Sequence, residues 1–318
     1  MKISFTAAKL TLAACMLTVA QTACSEAYPS RAIRIVTTEP GTAVELVARQ
    51  VAQSMNKNLG QPVVVDNRGI RAVEIVAKAP RDGYTLLVYS SPLWLMPLMQ
   101  KVTWDTEKDF APISGTVSVP NVLVVPASLG LNSVTEVVNL ARSKPGALNY
   151  GSGSTGSSTH LAAELLKSST KIDVLRVPYK GAGPAMTALL AGEVQILFAT
   201  TAAAKPHAEA GRLRLLAITT AQRSALAPGL PTVAEAGVPG YESASLSGML
   251  APIGTPAAIL KRLNQQVVSA LARHDIREKL AILGVETITG TPEDFRATIK
   301  ADTAKWAKVI KQAGIREE

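Results

Sequence analysis

The sequence holds 318 residues, 47% hydrophobic and only 4% aromatic, with a formal net charge of +9. That length exceeds one ordinary core and suits two compact domains; with so few rings, Ala, Val, Leu and Ile must build the cores, as in α/β layers. The basic residues are scattered (Arg31, Arg34, Lys261, Arg262, Lys305, Lys308) with no aromatic interleaving, which argues against a nucleic-acid surface.

The first stretch, MKISFTAAKLTLAACMLTVAQTACSEAYPS, reads as an export signal. Lys2 and Lys9 form its basic start, residues 10–20 an apolar core too short to span a bilayer. Ser25 and Ala27 supply small residues for cleavage after Ala27. LAAC at 12–15 has the look of a lipoprotein box, but the apolar run before Cys15 is short for one. Both cysteines, Cys15 and Cys24, precede the cut, so the exported chain has no disulfide, thiolate nucleophile or Cys-based metal site. Losing Lys2, Lys9 and Glu26 takes the charge from +9 to +8. No later segment is apolar for long enough to form a membrane helix, so a periplasmic protein is expected.

From residue 33 short β-rich runs alternate with helical ones, the pattern of parallel βαβ units. IRIVTT (33–38) predicts a strand, EPGT a turn, and VELVARQVAQSMNKNLG a helix ending at Gly60. PVVVDN (62–67) is the second strand, AVEIVAKA (72–79) a helix and YTLLVYSS (84–91) the third strand. Their nearly continuous apolar character suits a sheet covered on both faces. FAPISGTVSVPNVLVVPASLG is long, extended and punctuated by proline, as for a strand crossing between domains. The rhythm restarts with VTEVVNLARSK (helix), ALNYGSG (strand and loop), SSTHLAAELLKSS (helix), DVLRVPY (strand), GPAMTALLAG (helix) and VQILFATT (strand). LRLLAITT adds a strand, PTVAEAGVPGYESAS returns, and SGMLAPIG (247–254) is a second extended crossing. Helical segments PAAILKRLNQQVVSALARH, DIREKLAILG and PEDFRATIKADTAKWAKVIKQAG close the chain, with Trp306 in the core. After a signal over 1–27, lobe 1 is expected over 28–120 plus 249–318 and lobe 2 over 121–248. Two such α/β lobes, joined by two extended crossover strands, form a cleft at the carboxyl ends of their strands.

The loop YGSGSTGSSTHLAAELL is the first candidate for chemistry. Gly151 and Gly156 have phosphate-loop spacing, but Ser157 stands where the lysine belongs, so nucleotide binding lacks its cation. A nucleophile elbow needs G-x-S-x-G; around Ser154 the run is S-G-S-T-G. Its histidine would have to be His160, His207 or His274, and His160 lies on the helix that the loop opens. What needs no further residue is an anion cradle: free N–H groups at a helix start, with the hydroxyls of Ser154, Thr155, Ser157 and Ser158. Ser157 or Ser158 would equally serve as the helix cap.

YKGAGPAM repeats the logic with Gly181, Ala182 and Gly183, Pro184 suiting the first helical turn; a plain strand–helix turn explains it as well. Thr200 and Thr201 end a strand toward the same cleft. In lobe 1, TTEPGTAVE offers Thr38, Glu39, Gly41 and Thr42. Glu39 and Glu45 would repel a carboxylate but suit an ammonium group, and Glu45 also complements a helix dipole. The histidines are far apart, and Asp82, Asp105 and Asp109 sit in surface segments, so neither metal nor cofactor is expected.

Over essentially its whole exported length the chain resembles the Bug family, the periplasmic solute receptors of the tripartite tricarboxylate transporter system. The resemblance rests on YPSRAIRIV, LGQPVVVDNR, DGYTLL, GSSTHLAAELL, VPYKGAGPAMTALLAGEV, GRLRLLAITT, LPTVAEAGVPGY, LAPIGTP and AKWAKVIKQAGI. It implies a type II periplasmic-binding-protein fold, a small carboxylate enclosed between the lobes, and no catalysis. The partners it implies are a tripartite tricarboxylate-type permease or a sensor kinase, the receptor being a monomer.

The departures fall in lobe 1. The family's Pro-Phe-Pro-Pro-Gly-Gly-like loop and following Asp are replaced by TTEPGTAVE, with Thr38 for the aromatic, Thr42 for a glycine and Glu45 for the Asp. NRGIRAVEIVAKA is shorter than the family's glycine-rich loop, keeping Gly69 and offering Arg71. Leu246 replaces a Trp, and an Asp near the end of LFATT is missing. One carboxylate is therefore expected in lobe 2, with Arg71 available to a second acid group. The alternatives are an exported hydrolase using Ser154, and a receptor that acts through protein contact alone.

Overall fold

A computed structural model describes residues 28–316; the export signal expected over 1–27 lies outside the described residues. The first half of the six-stranded sheet follows the expected rhythm. Strand β1 (Ile33–Thr37) leads to helix α1 (Ala43–Leu59), β2 (Val63–Asn67), α2 (Arg71–Ala77) and β3 (Thr85–Ser90). Thr42 caps α1 by accepting the Glu45 N–H, and Gly60 ends it in the left-handed conformation. After the short helices α3 (Pro92–Leu95) and α4 (Thr106–Asp109), the predicted single crossing becomes two strands, β4 (Phe110–Pro120) and β5 (Val122–Pro126), in different sheets. Apolar continuity through FAPISGTVSVPNVLVV hides the break at Asn121.

The second sheet comprises β5 and, after α5 (Val134–Ser143), β6 (Asn149–Ser152), α6 (Ser158–Thr170), β7 (Leu175–Pro178), α7 (Ala182–Ala191) and β8 (Ile196–Ala199). A helix absent from the sequence reading, α8 (Thr201–Glu209), precedes β9 (Leu213–Ile218). Pro206 inside it masks its pattern, yet Thr200 caps it through the Ala203 N–H. The chain returns through β10 (Ala244–Pro252), α9 (Ala257–Ala272), α10 (His274–Ile282), the two-residue β11 (Glu286–Thr287) and α11 (Pro292–Ala313).

The strand orders are β11-β4-β10-β3-β1-β2 and β7-β6-β8-β5-β9. Parallel pairing of β1 with β2 and β3, and of β6 with β7 and β8, puts the starts of α1, α2, α6, α7 and α8 at the carboxyl ends of these strands. On the first sheet Val47 and Val51 of α1 pack with Leu263 and Val267 of α9; the opposite face holds Val73, Val76 and Trp306. On the second, α5 and α6 cover one face and α7 with α8 the other. The passages between sheets lie side by side: Asn121 N–H donates to Thr219 Oγ1 at 2.8 Å, and Ser243 N–H to Thr219 O at 2.8 Å.

Helix α11 ties the two halves together. Leu161 of α6 packs in the same core as Trp306 and Ile310, and Ser168 bonds Gln312 at 2.5 Å. Asp302, 4% exposed, accepts the indole N–H groups of Trp94 at 2.8 Å and Trp306 at 2.9 Å. Among the described residues no helix is long and apolar enough to cross a membrane.

Candidate functional site

The serine-glycine loop between β6 and α6 is held from below by a charge that the sequence reading overlooked. Arg176, on β7, donates through Nε to Ser152 Oγ at 2.8 Å, through Nη2 to Gly153 O at 3.0 Å and through Nη1 to Thr155 Oγ1 at 3.3 Å. All three acceptors are neutral, and among the described residues no carboxylate forms an ion pair with it. Because a guanidinium has no lone pair to offer, Thr155 Oγ must accept from it, leaving the threonine's own O–H to donate elsewhere. The cradle read as neutral thus has a cation beneath it.

The rest of the loop is fixed by its own helix. Ser157, not Ser158, is the cap, its Oγ accepting the His160 N–H at 3.4 Å and bonding Thr159 at 3.1 Å. Thr159 Oγ1 accepts the Gly153 N–H at 3.1 Å. His160 Nδ1 accepts the Gly156 N–H at 3.1 Å, and the ring is 3% exposed. Burial, then the Arg176 charge, push the imidazole down to about 4, so it is neutral and acts as an acceptor. Ser154 is exposed, with only its carbonyl engaged, by the Ser157 N–H at 3.0 Å.

His160 therefore cannot serve Ser154 as a base, His207 is bonded to Arg212, and His274 lies beside Glu278. Folded His160 resists protonation that the unfolded chain accepts near pH 6.5, so its contribution to stability is present above that pH and lost toward pH 4. Urea titrations should show a loss of at most about 3 kcal/mol across this window, much reduced in His160→Gln.

At the rim, Gly156 has φ +73°, and a Cβ there would stand 2.6 Å from Met99 Cε of the other half. Gly156→Ala is expected to lose about 1–2 kcal/mol of stability from the strained φ and the contact. Adding Met99→Ala should not recover the φ component; recovery in full on urea denaturation would show that contact alone sets the effect.

The neighbouring starts are simpler. Gly181, the N-cap of α7, and Gly183 would find no atom within 4 Å of an added Cβ, so the backbone is open there; Ala182 is exposed. Thr200 Oγ1 accepts the Ala203 N–H at 3.3 Å, while the Thr201 hydroxyl is buried and unpartnered.

In the facing loop the threonines turn inward. Thr38 and Thr42 bond each other at 2.7 Å, and Thr42 also contacts Glu39 O at 3.2 Å. Glu45 is 3% exposed, paired with Arg49 and reached by the Gly41 N–H at 3.4 Å, so it braces the loop rather than facing the cleft. Glu39 is exposed, and its carboxylate lies over Gly69, where a Cβ would fall 1.9 Å from Oε1. Burial, then the Glu39 charge, push the Tyr89 hydroxyl up to about 12. Arg71 is exposed at the start of α2.

Two cavities flank these loops. One of about 310 Å³ lies between α7 and α8, lined by Thr159, Ala182 and Gly183 among others. The other, about 580 Å³, lies beside the crossing strands and includes Ser118, Arg223, Leu246, Glu286 and Asp294 but none of the sequence-predicted site residues. Three of its charged side chains are engaged, Arg223 with Glu235, Glu286 with Ser224 and Asp294 in the cap of α11, while Glu242 is exposed.

The family described as the tripartite tricarboxylate transporter family receptor matches residues 47–315. The chain belongs to this family. BugT of Bordetella pertussis is 35% identical over 298 residues, 91% of each chain. Among solved structures, R. palustris Rpa4515 with adipate is 38% identical with a TM-score of 0.74, over 91% of this chain and 99% of that one. MatC (Rpa3494) from Rhodopseudomonas palustris with bound malate is 28% identical with a TM-score of 0.69, over 89% and 100%. The two-sheet architecture is thus the two-lobed periplasmic-binding fold of these receptors. Of the sequence-predicted residues, the loop at 154–158 and the starts at 181–183 and 200 belong to one lobe, and Thr38, Glu39, Gly41, Thr42 and Arg71 to the other. The signal for Arg176 was slight: one cation in LRVPY, whose role depends on the β6–β7 pairing that sets it beside Ser152 and Gly153.

Proposed function

We propose that this protein is a periplasmic solute receptor that encloses a small organic acid between its lobes and presents it to a tripartite tricarboxylate-type permease or a sensor kinase. The observation that carries this reading is Arg176, a half-buried guanidinium without a carboxylate partner among the described residues. A cation held this way lacks the counter-charge that normally accompanies a buried ion, and an acid in the loop above would supply it. Adipate and malate in related structures agree with that chemistry.

In this reading Ser154, Thr155, Ser158, Gly181, Ala182 and Gly183 receive the carboxylate, while Ser157 and Thr200 hold their helix starts in place. Thr38, Gly41 and Thr42 keep the opposite loop rigid. Glu39 and Arg71, on the opposite lobe, would meet an ammonium or a second acid group where the ligand carries one. Closure is a hinge motion of lobes 28–120 plus 249–318 and 121–248. Pairing of Ala244 with Pro120 favours setting the return boundary after Ser243.

Native mass spectrometry of the protein taken from exporting cells tests the proposal. A small acid retained at one per chain, displaced by adipate, malate, glutamate or benzoate, is the expected result. Protein that carries no acid and shows no thermal shift with any of them would instead point to a role in protein contact.

A further inference from the structure

The 310 Å³ cavity is an apolar slot. Its floor is Leu197 and Ala199 of β8, and its walls are Met186, Leu190 and Ala203 from the two helices. The small residues Ala182, Gly183 and Ala203 are exposed and leave its mouth open. Burying an apolar group against such aliphatic walls is favourable by about 25 cal/mol for each Å² taken out of water.

The slot is continuous with the anion loop. Thr159 lines it and also bonds Gly153 and Ser157 of that loop. Ala182 and Gly183 line it at the start of α7, where the backbone is open. Among the polar side chains of its lining, Thr187 donates to Gly183 O at 3.3 Å, and His207 Nδ1 accepts from Arg212 at 2.6 Å. A second carboxylate pushed deep into this slot would give up its hydration against mostly aliphatic walls.

We infer that the ligand is a carboxylate with an apolar arm, an aliphatic chain or aromatic ring, which lies between α7 and α8 while its acid group is held by the serine-glycine loop. This rests on the receptor reading above and adds the chemistry of the bound acid.

Calorimetric titration of the full protein, freed of retained ligand, tests it with acetate, butyrate, hexanoate, octanoate, benzoate and succinate. Affinity should rise from acetate to hexanoate by about fourfold for each methylene that enters, the equivalent of about 0.8 kcal/mol. Ala203→Leu narrows the slot at an exposed helical position and should erase most of that rise, with acetate and succinate binding unchanged and serving as the check on folding. Binding of all the acids with no dependence on chain length overturns the arm and leaves the receptor reading intact. Binding of none overturns both, and hexanoate binding unaffected by Ala203→Leu overturns the placement.

Discussion

Replacing Arg176 by glutamine is expected to weaken carboxylate binding by roughly tenfold to a hundredfold while leaving the fold in place. The range follows from the worth of a hydrogen bond to a charged group, about 1.5–3 kcal/mol, at tenfold for each 1.4 kcal/mol. Two effects contribute to that loss. The guanidinium fixes the loop through Ser152, Gly153 and Thr155, and it supplies the positive charge beneath the acid. Arg176→Lys separates them, because it keeps the charge and loses the planar fork. A dominant charge effect leaves the lysine variant close to wild type, with an affinity that falls as salt is added. A dominant loop effect makes lysine and glutamine equally poor and leaves the salt dependence as it was. Titration of both variants at two ionic strengths, alongside an uncharged amide analogue of the acid, decides between them. Wild-type-like binding by Arg176→Gln would remove the guanidinium from the site altogether.

The lobes were legible in the sequence because their determinants are local. IRIVTT, PVVVDN and YTLLVYSS carry the apolar continuity of strands covered on both faces, and Gly60 carries the stop of α1. What escaped depends on pairing. Whether FAPISGTVSVPNVLVV is one strand or two is decided by partners distant in the chain, β10 for one part and β8 with β9 for the other. Helix α8 escaped because Pro206 reads as a breaker, although only one backbone bond in an exposed turn is lost.

The same division applies to the site. Helix starts and hydroxyls announce themselves in GSGSTGSSTH and YKGAG. Arg176 becomes meaningful only when β7 lies beside β6, and the apolar slot only when α7 and α8 lie side by side with small residues between them. Glu45 shows the converse. By type it suits an ammonium ligand, yet its neighbour Arg49 and the Gly41 N–H claim it.

A variant at Asp302 should behave in the opposite way to Arg176→Gln, with a large loss of stability. The carboxylate accepts Trp94 through Oδ2 and Trp306 through Oδ1, and Lys305 Nζ stands 3.3 Å from Oδ1. Asp302→Ala strands two buried indole donors, and the expected destabilisation is about 3–5 kcal/mol. Asp302→Asn keeps one acceptor but turns an NH₂ group toward the other indole, donor against donor, so about half that loss is expected. Urea denaturation followed by tryptophan fluorescence reads both, since Trp94 and Trp306 are two of the three tryptophans. Asp302 fastens α11 to α3 inside lobe 1, whereas the anion loop is held by Arg176 and His160 inside lobe 2. Binding measured well below the unfolding midpoint should therefore survive Asp302→Asn and fail in Arg176→Gln. A parallel loss of affinity in Asp302→Asn would mean that the α11–α6 contact at Leu161 and Ser168 transmits strain to the serine-glycine loop, and that the lobes do not act as independent halves of the cleft.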